Sequence, residues 1–136
     1  MTSEIGFEVN MQGPFEVAVE KVKAALKEQG FGVLTQIDVK ATMKEKLDED
    51  FRPYIILGAC NPHLAHKALS TDPVVGVLLP CNVTVEENPQ GDIITRIVNP
   101  EVMMTVGTLQ ENQAILEVAQ EARTRLENVA RALIEA

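Results

Sequence analysis

The sequence contains few aromatic residues and little positive charge. Four Phe, one Tyr and no Trp account for its aromatics, so the core of the folded protein must be mainly aliphatic. Twelve Lys and Arg residues stand against 20 Asp and Glu residues, which gives a formal net charge of −8. Nucleic acids and anionic membranes are bound by clustered Lys and Arg. We therefore expect neither as a partner.

Long apolar runs and leader features are also missing. The most apolar run, from Val74 to Leu79, is far too short to span a bilayer. The start, Met1-Thr2-Ser3-Glu4, has neither the basic nor the apolar region of a signal peptide, so we expect a cytoplasmic protein. In that compartment the two cysteines of the chain would be reduced thiols. The length of 136 residues suits one domain, covering residues 1–136 without repeats or a linker.

What is present predicts a five-stranded sheet. Apolar alternation and apolar runs place strands at residues 5–9, 31–39, 54–59, 76–86 and 93–98. The third strand is nearly all apolar, so we expect it to be central and covered on both faces. In the fourth, Cys81 falls on the apolar side and Asn82, Thr84 and Glu86 on the other. Pro80 implies an edge position or a bulge there.

Along the chain, helices are predicted between these strands and after the last of them. One amphipathic helix runs from Phe15 to Gly30, and short helices are expected over residues 40–50 and from Asn61-Pro62 to about Leu69. Thr108 and Glu111 resemble a capping box at the start of the last helix. Its apolar stripe comprises Ile115, Val118, Ala119, Ala122, Leu126, Val129, Ala130 and Leu133.

This order predicts an α+β fold. Its pattern is β-α-β(4)-α, with two short helical insertions and a long C-terminal helix. Because two long helices must cover one sheet, we expect a two-layer sandwich with a mainly antiparallel five-stranded sheet.

The two cysteines lie in related motifs, Ala59-Cys60-Asn61-Pro62 and Leu79-Pro80-Cys81-Asn82. Cys60 precedes a helix N-terminus, where the helix dipole favours an anion and would lower a thiol pKa. It could then be a reactive thiolate or a soft-metal ligand. The alternative is a small buried side chain at the end of a strand, with Asn61 only as a cap. Together the two cysteines could ligate a soft cation or form a reversible disulfide.

Other chemistry-bearing residues give weaker indications. Met103 or Met104, after the fifth strand, could add a thioether ligand or simply fill the core. His63 and His66 share a helix face with polar residues, so we expect them to be solvated. The sequence shows no zinc-binding cysteine spacing, no P-loop and no serine nucleophile elbow.

These motifs are also those of a known family. The chain resembles the domain-of-unknown-function 302 family from Arg52-Pro53-Tyr54 through Gly58-Ala59-Cys60-Asn61-Pro62 to Leu79-Pro80-Cys81-Asn82-Val83, and Asn99-Pro100 fits the same pattern. The resemblance implies a compact α+β domain similar to the TATA-box-binding-protein fold class, and a homodimer. It does not imply DNA binding.

Three functions stay open at this point. The leading hypothesis is a small-ligand or soft-metal binding or sensing domain, with a site formed by Cys60, Asn61, Cys81 and Asn82. The second is an enzyme with Cys60 as nucleophile and Asn61 or Asn82 as oxyanion donor. The third is a dimerisation module without chemistry. No cofactor, ligand or substrate is identified by the sequence.

Overall fold

The computed structural model describes residues 4–135. Residues 1–3, which carry part of the argument about a signal peptide, lie outside that range. The strands are β1 (Gly6–Met11), β2 (Gly32–Asp38), β3 (Tyr54–Cys60), β4 (Cys81–Glu87) and β5 (Ile93–Val98). The α-helices are α1 (Phe15–Glu28), α2 (Val39–Leu47), α3 (Pro62–Thr71), α4 (Pro100–Met103) and α5 (Gln113–Glu135), and 3-10 helices cover Pro73–Leu78 and Gly107–Glu111.

The strands form one antiparallel sheet in the order β1-β5-β4-β3-β2. Helices α1 and α5 pack against each other and on one face of this sheet. The opposite face, which carries Glu8, Ile56, Thr84 and Arg96, is not covered by them; we call it the open face. The predicted α+β sandwich with a long C-terminal helix is confirmed.

The two long helices are amphipathic as predicted. In α1 the residues Ala18, Val19, Val22 and Leu26 are buried, and the chain leaves the helix through Gly30, whose φ of 82° favours glycine. All eight residues of the predicted stripe in α5 are buried. Because α5 contributes to both apolar clusters of the core, it joins the sheet to the segment around α3 and α4.

The fourth strand is shorter than predicted. It begins at Cys81, and residues 73–78 form a 3-10 helix, in which Val77 is 84% exposed rather than facing the core. The side chain of Asp72 accepts a hydrogen bond from the backbone N–H of Val74, so the turn is capped locally. Pro80 precedes the strand and removes no hydrogen bond from it. The expectation of an edge position or a bulge is wrong, since β4 lies between β5 and β3 and pairs with both without a register shift.

Two further expectations need correction. β3 is an inner strand, but only Ile55, Leu57 and Ala59 face the helices, while Tyr54 and Ile56 are half-buried on the open face. It is therefore not covered on both faces. The last helix begins at Gln113, and no capping box forms.

The cap of α5 is instead Asn112, whose side-chain oxygen accepts hydrogen bonds from the backbone N–H groups of Ala114 and Ile115. Thr108 is exposed within a 3-10 turn, and this turn separates the predicted cap from the helix.

Candidate functional site

The fold brings the two cysteines close together at one end of the sheet. Ala59 pairs with Cys81, Cys60 follows as the last residue of β3, and the proximity of Cys60 contributes to the raised pKa of Cys81. Both cysteines line a crevice of about 30 Å³, which we call the sulfur crevice. It lies where β3 ends and β4 begins, against α3 and α5, and its other lining residues include Phe31, Asn61, Leu64, Pro80, Met104 and Ala122. Both thiols are free.

The two asparagines of the motifs are separated by the fold. Asn61 is buried, and its side-chain oxygen accepts a hydrogen bond of 3.2 Å from the backbone N–H of Leu64, which caps α3 as predicted. Asn82 is exposed and lines a different cavity on the open face. Successive residues of a strand point to opposite faces, so Asn82 cannot share a site with the side chain of Cys81.

The electrostatics of the thiols differ from the sequence-based expectation. Burial raises the pKa of Cys60. Burial, and then the proximity of Cys60, raises the pKa of Cys81 to about 11. The helix dipole would lower the pKa of Cys60, but the backbone N–H of Leu64 in the first turn of α3 already donates to the side chain of Asn61. Both shifts favour the protonated thiol over the thiolate.

Of the two methionines considered, Met104 rather than Met103 lines the sulfur crevice. Met103 is the last residue of α4 and packs against both core clusters. The sequence could not distinguish these adjacent methionines, because the direction of each side chain depends on how the short helix α4 turns. His63 and His66 are exposed on α3, as expected, and do not line the crevice. Within residues 4–135, no three His, Cys, Asp or Glu side chains are grouped as a metal site.

The open face also holds a cluster of charged side chains that the sequence did not indicate. The side chain of Glu86 is only 7% exposed and accepts hydrogen bonds from Arg96 and, at 2.6 Å, from Arg52. Arg96 also donates to Glu8 at 2.8 Å. Burial would raise the pKa of Glu86, but the two arginines outweigh it and hold that pKa below its usual value. Glu8, Glu86 and Arg96 come from three separate strands that are neighbours in the sheet, and Arg52 comes from a loop.

The fold and the crevice define an antiparallel α+β sandwich with a paired-cysteine motif at one end of its sheet. The chain belongs to the family described as "Domain of unknown function DUF302", whose sequence profile matches residues 7–133. The crystal structure of the uncharacterized conserved protein DUF302 from Bacillus stearothermophilus is similar to it, with a TM-score of 0.84 and 27% identity. The match covers 96% of this chain and 99% of that one.

No curated protein matches the chain. Within residues 4–135, no helix combines the length and the apolarity that a membrane span requires.

Proposed function

We propose that this chain is a binding or sensing domain for a soft monovalent metal ion, for which Cu(I) is the model. The observation that supports the proposal is the sulfur crevice itself. Its lining residues include Cys60, Cys81 and Met104, which carry two thiols and a thioether. Thiolate and thioether are soft ligands that prefer Cu(I) to hard cations such as Mg²⁺ or Ca²⁺.

The size of the crevice favours one of the ligand classes that the sequence left open. Its volume is about 30 Å³, and a cavity needs roughly 10–15 Å³ to hold one water molecule. Sites for organic ligands usually enclose roughly 300–1,000 Å³. The small volume therefore favours a metal ion over an organic molecule as the ligand.

The raised thiol pKa values predict how binding depends on pH. A metal ion binds the thiolates, so it must displace one proton from each cysteine. Below both pKa values, the affinity for Cu(I) should rise by about 100-fold per pH unit, a factor of ten for each proton released. The proposal also requires reduced thiols, a condition that the cytoplasm maintains.

The experiment is an anaerobic Cu(I) titration in competition with bicinchoninate, repeated between pH 6 and pH 8. The wild-type chain should bind one Cu(I), and Cys60→Ser and Cys81→Ser should each bind it far more weakly. Met104→Leu should weaken binding, whereas the matched control Met103→Leu should leave it unchanged. The proposal fails if the wild type cannot compete for Cu(I), or if both serine variants bind as the wild type does.

An enzyme with Cys60 as nucleophile has less support from the same geometry. Burial raises the pKa of the Cys60 thiol, and neither histidine lines the crevice to act as a base. Asn61 is buried as the cap of α3, and Asn82 lies on the other face of the sheet. Iodoacetamide at pH 7.5 should alkylate Cys60 more slowly than it alkylates free cysteine. A faster reaction would favour the enzyme.

The homodimer that the family resemblance implied remains a separate proposal. Native mass spectrometry of the reduced wild type and of Cys60→Ser would report subunit number and bound metal together. A dimerisation module would be supported instead if the chain forms a dimer that retains no metal. In that case, neither serine substitution should affect dimer formation or the cellular phenotype.

A further inference from the structure

The open face of the sheet contains a cavity of about 550 Å³. Its lining includes Ile5, Tyr54, Asn82, Thr84, Arg96 and Val98, and it shares no residue with the sulfur crevice. The volume lies in the range of roughly 300–1,000 Å³ that small-molecule sites usually enclose. It is therefore large enough for a ligand that the sulfur crevice excludes.

Thr84 occupies the centre of this face. Strand pairing places it between Ile56 of β3 and Arg96 of β5, and Arg96 in turn pairs with Glu8 of β1. Along β4, Asn82 lies two residues before Thr84 and so points to the same side. One side of this row is apolar and the other is charged, so the face offers both an apolar surface and polar anchors.

The hydroxyl of Thr84 is the unusual group in this row. Its oxygen is buried and, in the part of the chain that the structure describes, has no hydrogen-bond partner. A buried hydroxyl without a partner is uncommon and costly. Thr84 is half-buried and lines the cavity, so rotation about its χ1 would bring the hydroxyl to the cavity wall, where a ligand atom could accept its hydrogen bond. Asn82 and Arg96 bring further N–H donors to the same cavity. A ligand with a hydrogen-bond acceptor would therefore be complementary to this wall.

The charges around the cavity indicate that the ligand is uncharged. Arg96 donates to both Glu8 and Glu86, and Arg52 donates to Glu86. These two arginines and two glutamates have no net charge. An anion would compete with carboxylates already bound to Arg96, and a cation would be repelled by its guanidinium. The side chains of Ile5, Tyr54 and Val98 supply apolar surface for the rest of the molecule.

We propose that this cavity binds an uncharged, mainly apolar small molecule whose carbonyl oxygen accepts a hydrogen bond from the hydroxyl of Thr84. The site is independent of the metal-binding function proposed above, because it lies on the other face of the sheet and uses none of the sulfur ligands.

The test uses Nile red, an uncharged planar dye with one ring carbonyl, in a fluorescence titration of the full chain. The wild type should bind about one dye per chain. Thr84→Val keeps the shape of the side chain but removes its hydroxyl, so it should weaken binding by about fivefold, as expected for one lost hydrogen bond. Thr95→Val is the matched control: Thr95 is buried on the next strand outside the cavity, and binding should not change.

Two further measurements separate a binding role of Thr84 from a structural one. Thr84→Val should raise the Tm of the dye-free protein, because it removes an unpaired buried hydroxyl, even though it weakens binding. Asn82→Trp places a ring over the cavity from an exposed position and should abolish binding without unfolding the chain.

Three results would overturn the proposal. One is no saturable binding of Nile red to the wild type. A second is equal affinity in the wild type and Thr84→Val, and a third is full binding to Asn82→Trp. A dimer formed through the open faces would exclude the dye and so give the first of these results. Sedimentation would detect that dimer and would assign the open face to a second copy of the chain.

Discussion

Glu86 is the residue with the most demanding environment on the open face. Its carboxylate is almost fully buried and is held by Arg96 and Arg52, one on each oxygen. A buried charge is tolerated only when it is paired and hydrogen-bonded. Glu86 is thus the residue of this face whose replacement should affect stability most.

Replacing Glu86 by Gln should destabilise the protein by about 2–3 kcal/mol, as expected when hydrogen bonds to a charged group are lost. The amide has only one acceptor oxygen, and its NH₂ group would face a guanidinium. Urea unfolding of the two proteins measures the difference. Glu121→Gln is the control, because Glu121 forms an exposed i,i+4 pair with Arg125, and such pairs contribute only about 0.2–1 kcal/mol. Equal losses in both variants would contradict the prediction.

The same residue predicts a pH dependence of stability. The pKa of Glu86 is lower in the folded chain than its usual value, and that of an unfolded Glu is about 4.3. Its contribution is therefore complete above the unfolded value and is lost as the pH falls through the lower folded value. The free energy of unfolding of the wild type should approach that of Glu86→Gln as the pH falls below the unfolded pKa and on through the folded one. A difference that stays constant during this acidification would contradict the assignment.

At the scale of elements, the start of α5 shows how one turn changes a prediction. The pattern of Thr108 and Glu111 is that of a capping box, yet residues 107–111 form a 3-10 turn and the helix begins later. Asn112 then supplies the side-chain oxygen for two free N–H groups of the helix. A capping pattern thus indicates that a helix is near, but the preceding backbone decides at which residue the helix begins.

Replacing Asn112 by Ala should cost about 1 kcal/mol, the usual effect of losing an N-cap. Thr108→Ala should change stability by less than about 0.5 kcal/mol, as expected for an exposed residue outside such features. Thermal unfolding of both variants beside the wild type makes the comparison. The larger loss in Thr108→Ala would restore the capping box and contradict the assigned helix start.

At the scale of the molecule, α5 connects two apolar clusters. Leu126 is fully buried in the cluster against the sheet, and Ile115 is fully buried in the cluster that includes Ala68 of α3 and Met104. One continuous helix carries both residues. We therefore propose that the clusters unfold together as one unit.

Leu126→Ala and Ile115→Ala should each cost about 2–5 kcal/mol, the range for a large core side chain cut back to alanine. Both variants should unfold in a single transition when it is followed by far-UV circular dichroism and by heat capacity. Two resolved transitions in Ile115→Ala would show that the cluster around α3 melts separately.

The sequence determined the elements whose residues interact with near neighbours. The period of 3.6 in α1 and α5, the Asn61-Pro62 helix start and the alternation of Asn82, Thr84 and Glu86 were all predicted, and the structure confirms them. Each depends on residues a few positions apart, whose relative directions follow from helix or strand geometry alone. The fold class followed because apolar faces of this number and length can be buried in few arrangements.

The tertiary structure alone decided what the elements bring together. The fold brought Cys60 and Cys81 into one crevice, and strand alternation placed Asn82 on the opposite face. The turn of α4 placed Met104, not Met103, in the sulfur crevice, and the sheet order joined Glu86 to Arg96. Burial then reversed the expected direction of the thiol pKa of Cys60. Distance and desolvation depend on contacts between residues far apart in sequence, so no local pattern of residues contains them.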